Sequence, residues 1–293
     1  WISNCDRCDA LMTVHKNPLK LQCHHCEAQR PYPTKCPSCE SDDFLTYGFG
    51  TERVEEFLRG HFPNTKTLRI DSDSTRKKES LNEYFDEIKK GEPIILLGTQ
   101  LLAKGHHFPN VTLVGIIDAD SGLFSADFRG SERVAQLMTQ VAGRAGRDKK
   151  PGRVILQSYC LDHPQIEEII TGSYEKFAKK LLEERKSYKI PPFSFQAKIF
   201  AESPKSLVSR DFILNLLNQS KIEKHISSNV RIVGPLPSIM EKKSGVYRWE
   251  LSIFSSSRSN LHKFLDIMQS RLYEPKLTKK VRWSIDIDPL SSI

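Results

Sequence analysis

Gly98-Thr99-Gln100-Leu101-Leu102-Ala103-Lys104-Gly105-His106-His107-Phe108-Pro109 follows directly on the apolar run Ile94 to Leu97. Further along, Gln140-Val141-Ala142-Gly143-Arg144-Ala145-Gly146-Arg147 closes a stretch in which Val134, Leu137, Met138 and Val141 recur at helical steps. A second apolar run, Val111 to Ile117, stops at Asp118. Continuous apolar runs of this kind fit buried parallel strands. Ligands of parallel sheets gather at the carboxyl ends of strands, where Gly98-Thr99 and Asp118 fall. The glycines spaced among the basic residues of the helix end let backbone come close to an anion. The two segments thus predict an α/β fold with one anion-handling edge.

Working outward, the same alternation continues on both sides. Thr51 is placed to cap a helix with Val54, Phe57 and Leu58 inward, ended by Phe62-Pro63. Lys66 to Ile70 reads as a strand, and Arg76 to Lys90 as a helix with Leu81, Tyr84, Phe85 and Ile88 inward, stopped by Gly91. Ser131 to Arg147 is the next helix and Arg153 to Gln157 the next strand. Strands alternating with helices predict a parallel sheet covered on both faces.

A long helix pattern from Pro164 to about Tyr188 leads to Ile190-Pro191-Pro192-Phe193, a domain boundary. Beyond it the patterns run strand (Ala197 to Ala201), helix (Lys205 to His225), strand (Val230 to Val233), strand (Tyr247 to Phe254), helix (Arg258 to Leu272) and strand (Val281 to Ile287). That is the β-α-β-β-α-β order of a split, ferredoxin-like sheet. Tyr247, Trp249, Leu251 and Ile253 share one strand face, as do Val281, Trp283, Ile285 and Ile287.

The chain has 293 residues, enough for two or three domains with cores of their own. An apolar content of 38% and a charged content of 27% are those of a soluble globular protein. No apolar stretch approaches the roughly 20 residues of a membrane helix, and no signal-peptide pattern opens the chain; the expectation is cytoplasmic, with no membrane partner. A net charge of +8 favours a polyanionic partner.

Six of the seven cysteines form C-x-x-C pairs: Cys5/Cys8, Cys23/Cys26 and Cys36/Cys39. In a chain with no secretion signal such pairs read as metal sites. Residues 1–46 have little periodicity, so a metal must supply their folding energy. Each pair is a knuckle for two thiolates, and zinc is the default ion for four sulfurs. Cys5, Cys8, Cys23 and Cys26 suit one complete site; Cys36 and Cys39 are half of another. A redox dithiol would instead want one pair at a helix N-terminus. His15, His24 and His25 are ligands by type that four thiolates make unnecessary, and Cys160 reads as a small buried hydrophobe.

Gln140-x-x-Gly143-Arg144-x-Gly146-Arg147 is motif VI of superfamily 2 helicases, and the Gly98 to Pro109 segment matches their motif V. With the cysteine pairs upstream, the chain resembles the primosomal protein N′ (PriA) family of replication-restart DNA helicases. The resemblance runs over essentially the whole chain and in the family's domain order. The family commonly has Asp where this chain has His107, and Asn where it has Asp118. The resemblance implies a zinc-binding insert (1–46), a RecA-like second helicase lobe (47–190) and a C-terminal α+β ferredoxin-like domain (191–293).

It further implies that Arg147 is an arginine finger, that Arg144 contacts the phosphates and that Gln140 orders that cluster. Gly105, Arg144 and Arg147 would belong to the nucleotide site, and Thr99, Gln100 and Lys104 to the DNA track. Two Zn2+ are implied in the complete protein, the second joining Cys36/Cys39 to a pair upstream of Trp1. ATP with Mg2+ is the implied substrate. Forked and single-stranded DNA, primosome and replication-restart proteins, and single-stranded DNA-binding protein are the implied partners.

The residue types suit these roles. Phosphoryl transfer rests on positioning and on neutralising the transferring oxygens. Arginine stays charged and grips phosphate with a planar fork. Thr99 and Gln100 offer neutral hydrogen-bonding groups and Lys104 a charge, all suited to phosphates irrespective of base. Lys242/Lys243 and Lys279/Lys280/Arg282 add basic groups near the last two strands. No G-x-x-x-x-G-K-[ST] and no D-E-x-H occurs, so the chain alone is expected to be inactive. The rival reading is a zinc-dependent binding module with no motor activity.

Overall fold

The computed structural model describes residues 1–16, 18–44, 50–70, 84, 86–98, 111–125, 127–142, 152–220, 229–272 and 280–290. The chain forms two compact units: residues 1–46 together with 182–293, and residues 47–181.

The first unit holds two antiparallel sheets. The smaller has β1 (Thr13–Lys16), β2 (Leu19–Gln22) and β3 (Gln29–Pro31) in sequential order. The larger contains β8 (Phe195–Ser203), β9 (Arg231–Lys243), β10 (Val246–Ser255) and β11 (Arg282–Ile287), in the spatial order β11-β8-β10-β9. Helices α6 (Ser206–Ser220) and α7 (Arg258–Leu272) follow β8 and β10. This is the split β-α-β-β-α-β arrangement that the periodicities predict. Ala197, Ile199 and Ala201 of β8 and Leu251 and Ile253 of β10 alternate onto the core face. They meet Ile213 and Leu216 of α6, and Leu261, Phe264, Met268 and Leu272 of α7. Each fully buried large side chain contributes about 1.5–3 kcal/mol, so this cluster is the main source of cohesion in the unit. Trp249, Trp283 and Ile285 pack at its margin, whereas Ile287 is exposed.

The predicted strand ending at Val233 in fact runs on to Lys243. Gly234-Pro235 and Pro237 read as breakers in sequence. They are tolerated because β9 is the edge strand, where a missing N–H costs no ladder bond. Gly234 sits at φ +113°, and a Cβ there would lie 2.9 Å from the Glu250 carbonyl, so the close approach of β9 to β10 requires glycine. The helix expected over Lys205 to His225 is described as far as Ser220; residues 221–228 lie outside the described residues.

The second unit opens with α1 (Thr51–His61). Gly50, not Thr51, holds the cap position, with extended backbone and no side-chain cap. The expected inward face of α1 is not buried: Phe57 is 60% exposed and stacks on His61. Then come β4 (Lys66–Ile70) and β5 (Ile94–Gly98), paired in parallel with Ile70 opposite Gly98. Residues 84 and 86–89 are helical, and Gly91 at φ +77° follows them. The rest of the helix predicted from Arg76, including Leu81 and Phe85, lies outside the described residues.

β6 (Leu113–Ile116) and β7 (Arg153–Leu156) form a second parallel pair. These strands are less buried than their apolar runs suggest: Leu113 is 58% and Ile155 47% exposed. Among the described residues, one face of the pair, through Ile116 and Leu156, joins the cluster of Ala119, Leu123, Met138 and Ile166.

The single long helix expected from Pro164 to Tyr188 is two helices, α4 (Pro164–Thr171) and α5 (Tyr174–Tyr188). Gly172 donates its N–H to the Glu168 carbonyl and leaves the helical path, closing α4. Ser173 Oγ then accepts from the Lys176 N–H at 3.3 Å, starting α5 as an N-cap does. Between β6 and α4 lie the short α2 (Asp120–Leu123) and α3 (Gly130–Ala142).

Candidate metal centre and the β5 and α3 elements

The three cysteine pairs fold alike. The first cysteine of each donates its N–H to the carbonyl five residues on: Cys5 to Ala10, Cys23 to Ala28 and Cys36 to Ser41. Glu27 and Glu40, each four residues after a leading cysteine, take φ +58° to close their turns. β1 and β2 carry the chain between the first two knuckles, and the Sγ atoms of Cys5, Cys8, Cys23 and Cys26 all lie within 4.8 Å of one another. Cys5 and Cys26 Sγ are 3.7 Å apart. The edge of a tetrahedron with Zn–S bonds of about 2.3 Å is about 3.8 Å, so this donor set fits zinc. Among the described residues, these four are the group close enough to hold an ion. His15 and His24 pair their rings at 5.2 Å and are not part of it.

Burial pushes the Cys5 thiol up, and pushes that of Cys8 up to about 12. The backbone N–H of Ala28, aimed at its sulfur, brings Cys26 down to about 7. Metal binding must therefore expel protons from buried thiols, and metal affinity falls as the pH falls. Above about pH 7, Cys26 is already a thiolate. Below that, its proton too must leave, and the fall in affinity with acid steepens by about one proton. Metal competition titrations on either side of pH 7 measure that change of slope.

Cys36 and Cys39 form the third knuckle with no second pair beside it among the described residues. Cys36 is buried and Cys39 exposed. The Ser38 N–H, 3.4 Å from Cys36 Sγ, lowers the Cys36 thiol. The ring of Phe44, which follows this knuckle, meets Trp1 edge-on at 6.3 Å.

In the second unit, Gly98 ends β5 at the carboxyl edge, as the sequence predicts. Thr99, Gln100, Lys104 and Gly105 lie outside the described residues, as do Arg144 and Arg147. What is described is the machinery that aims α3, whose last turn carries Gln140. Ala135 packs with Phe177 and Leu181, and Met138 with Leu123 and Ile166. Gln140 is exposed, about 200° around the helix from Met138 at about 100° per residue.

The start of α3 is fixed by a buried Asp127, which accepts from the Arg129 N–H at 3.1 Å and pairs with Arg133 at 3.0 Å. Gly130 admits no side chain there: a Cβ would sit 2.6 Å from the Gly122 carbonyl. At the carboxyl end of β6, Asp118 takes φ +55°, a left-handed conformation that Asp and Asn tolerate best among residues with a side chain. The Asp120 carboxylate accepts from Ser158 Oγ at 2.6 Å and the Tyr159 N–H at 2.7 Å, tying α2 to the end of β7. Those bonds hold its carboxyl below the usual range. Cys160 is exposed, against the expectation of a buried hydrophobe.

Two features escaped sequence reasoning. The Asp127–Arg133 pair joins residues six apart in a loop-to-helix junction, with no periodic signal to mark it. A hairpin turn at Ser244-Gly245 also reaches the first cysteine knuckle, and its one sequence signal is the Ser-Gly dipeptide between two strand patterns.

Comparison with known proteins gives three family matches. Residues 186–290 match the primosomal protein N C-terminal domain, residues 5–31 the PriA DNA helicase Cys-rich region, and residues 39–149 the helicase conserved C-terminal domain. The replication restart protein PriA of Haemophilus influenzae is 44% identical over 291 residues, spanning 99% of this chain and 39% of the relative. Those of Rickettsia conorii and Bacillus subtilis are 38% and 35% identical, over 98% and 99% of the chain and 43% and 36% of their own lengths. The chain thus spans about two fifths of the curated relatives that it matches.

Proposed function

The chain belongs to the PriA family of replication restart proteins, and from that premise we propose that it is the C-terminal portion of an ATP-dependent 3′-5′ DNA helicase. That helicase recognises forked and single-stranded DNA, initiates replication restart and assembles the primosome with its partner proteins, single-stranded DNA-binding protein among them, in the cytoplasm. Among the described residues, no helix is long and apolar enough to cross a membrane. The observation that carries the proposal is one chain holding both a four-cysteine cluster and a parallel-strand lobe whose β5 and α3 lead into helicase motifs V and VI.

We assign the domains as 1–46, zinc-binding; 47–190, helicase lobe; and 191–293, DNA-binding and interaction. Arg147 is the arginine finger, Arg144 a phosphate contact and Gln140 their organiser, with Gly105 beside ATP and Mg2+. Thr99, Gln100 and Lys104 track DNA. The inner cysteines hold one Zn2+, and Cys36/Cys39 share a second with two ligands supplied from elsewhere in the complete protein. Metal analysis should find one tightly held zinc per chain, and two in a full-length protein; two tight zincs in this chain alone would refute the pairing.

DNA binding tests the reading directly. Lys242 is committed elsewhere, because its Nζ donates to the Asp6 carbonyl at 2.8 Å. Lys243, Lys280 and Arg282 are exposed and remain candidates. Binding to forked or single-stranded oligonucleotides should show little sequence preference. Its logarithm should fall with the logarithm of salt by about 0.7 per phosphate contact on single strands. Replacing Lys243, Lys280 and Arg282 together by Ala should flatten that slope. Salt-insensitive binding, or none, counts against a tracking role. The alternative is a zinc-dependent DNA- or protein-binding module without motor activity. A full-length protein that binds forks but lacks DNA-stimulated ATP turnover would establish that alternative.

A further inference from the structure

Each of three cysteine sulfurs accepts a backbone N–H from within its own knuckle. Arg7 donates to Cys5 Sγ at 3.4 Å, Ser38 to Cys36 Sγ at 3.4 Å, and Ala28 to Cys26. Cys8 is different. Its donor is the N–H of Ser244, 3.2 Å away and 236 residues along the chain.

Ser244 and Gly245 are the two residues that join β9 to β10, with Lys243 opposite Val246. Both have positive φ, +53° and +86°, the conformation of a two-residue type I′ hairpin turn. Gly245 donates its N–H to the Arg7 carbonyl at 2.7 Å, so both turn amides serve the Cys5/Cys8 knuckle. Of the two, the Ser244 N–H faces the sulfur, while the Gly245 bond fixes the turn on the knuckle's backbone. Behind the turn, Lys242 and Asp9 bond twice. The Asp9 N–H donates to the Lys242 carbonyl at 2.9 Å, and the Lys242 N–H donates to Asp9 Oδ2 at 2.7 Å. Lys242 Nζ adds a bond to the Asp6 carbonyl at 2.8 Å and lies 5.5 Å from the Tyr247 ring centre.

We infer that the Ser244-Gly245 turn is a built part of the metal centre, its Ser244 N–H being the outer-sphere donor to the Cys8 thiolate and Asp9 the positioning residue that holds the turn in place. This rests on the zinc reading given above. A thiolate bound to zinc keeps negative charge that a directed N–H stabilises, and such outer partners set metal affinity by about 10- to 100-fold. The coupling is reciprocal. The metal fixes the knuckle that anchors the hairpin, and the hairpin slows departure of the metal. The β9–β10 edge of the C-terminal sheet is therefore held more firmly on the cysteine-rich region while the metal is bound.

The test uses the whole chain loaded with cadmium-113, a spin-bearing substitute for zinc, and labelled with nitrogen-15. Metal content is measured first; a chain that takes up no metal refutes the zinc reading itself, separately from the clasp. In the loaded protein, the Ser244 amide proton should show scalar coupling to cadmium transmitted through Cys8 Sγ. A second arm measures zinc transfer to a colorimetric chelator. Asp9→Ala should release zinc roughly 10-fold faster or more, whereas Asp9→Asn, which keeps an acceptor oxygen, should stay within about threefold. Both variants should keep the circular dichroism of the C-terminal domain. A loaded protein without the Ser244 coupling, or an Asp9→Ala variant that releases zinc at the unaltered rate, would overturn the inference.

Discussion

Cys23→Ser should empty the inner metal site and unfold the cysteine-rich region, leaving the large C-terminal core folded. Cys23 is fully buried between Cys5 and Cys8, with Ala10, Met12 and Ala28 as the modest apolar company around them. The sheet there has strands of four, four and three residues, and a sheet so small with so little core is marginal in water. Zinc binding by comparable sites provides about 10–16 kcal/mol at neutral pH, far more than the burial of these few side chains. A serine hydroxyl does not become an anionic ligand at that pH, so the ion loses a quarter of its sphere. Amide exchange over residues 19–31 should become unprotected while amides of β8 and α7 stay slow, since Phe264 and Met268 depend on no metal. A zinc-free variant that retained protection over β2 and β3 would mean that the peptide, not the ion, specifies this fold.

The elements most legible in the sequence are those whose packing obeys one period. α7 runs from Arg258 to Leu272, as its apolar spacing predicts, because Leu261, Leu265, Met268 and Leu272 all serve a single core. β10 is legible for the matching reason: alternate residues from Tyr247 to Ile253 face one way. Reading fails where local and tertiary signals conflict. Prolines argue against the second half of β9, yet edge position makes them harmless. Pro164 to Tyr188 keeps a helical apolar spacing across Gly172-Ser173, and the spacing hides the break that the backbone bonds impose. The inner metal site was legible because C-x-x-C spacing is a local rule that one turn geometry enforces three times. The Cys8–Ser244 bond was not, since neither residue's neighbourhood carries any mark of the other.

Arg147→Ala in the full-length protein should nearly abolish DNA-stimulated ATP hydrolysis while leaving zinc content and folding intact. Arg147 lies outside the described residues, and its proposed role rests on motif VI and on the family. What the structure adds is the support upstream: Ala135 and Met138 are buried, and Asp127 and Gly130 fix the start of α3. A helix held at that end presents its last turn in a set direction, and Gln140 there is exposed, not spent on packing. Two readings of the arginine then differ by orders of magnitude. A solvated arginine at a helix end contributes well under about 1 kcal/mol of stability and nothing to turnover. An arginine finger stabilises charge that develops in the transition state, and losing one costs roughly 10³- to 10⁵-fold in turnover. Because that stabilisation is absent from the ground state, nucleotide affinity should change far less than rate. Turnover at saturating ATP and DNA, measured beside nucleotide binding by the same variant, separates the two. A loss of less than about tenfold would remove Arg147 from the catalytic cluster and transfer the role to Arg144, whose own replacement by Ala should then show the larger defect.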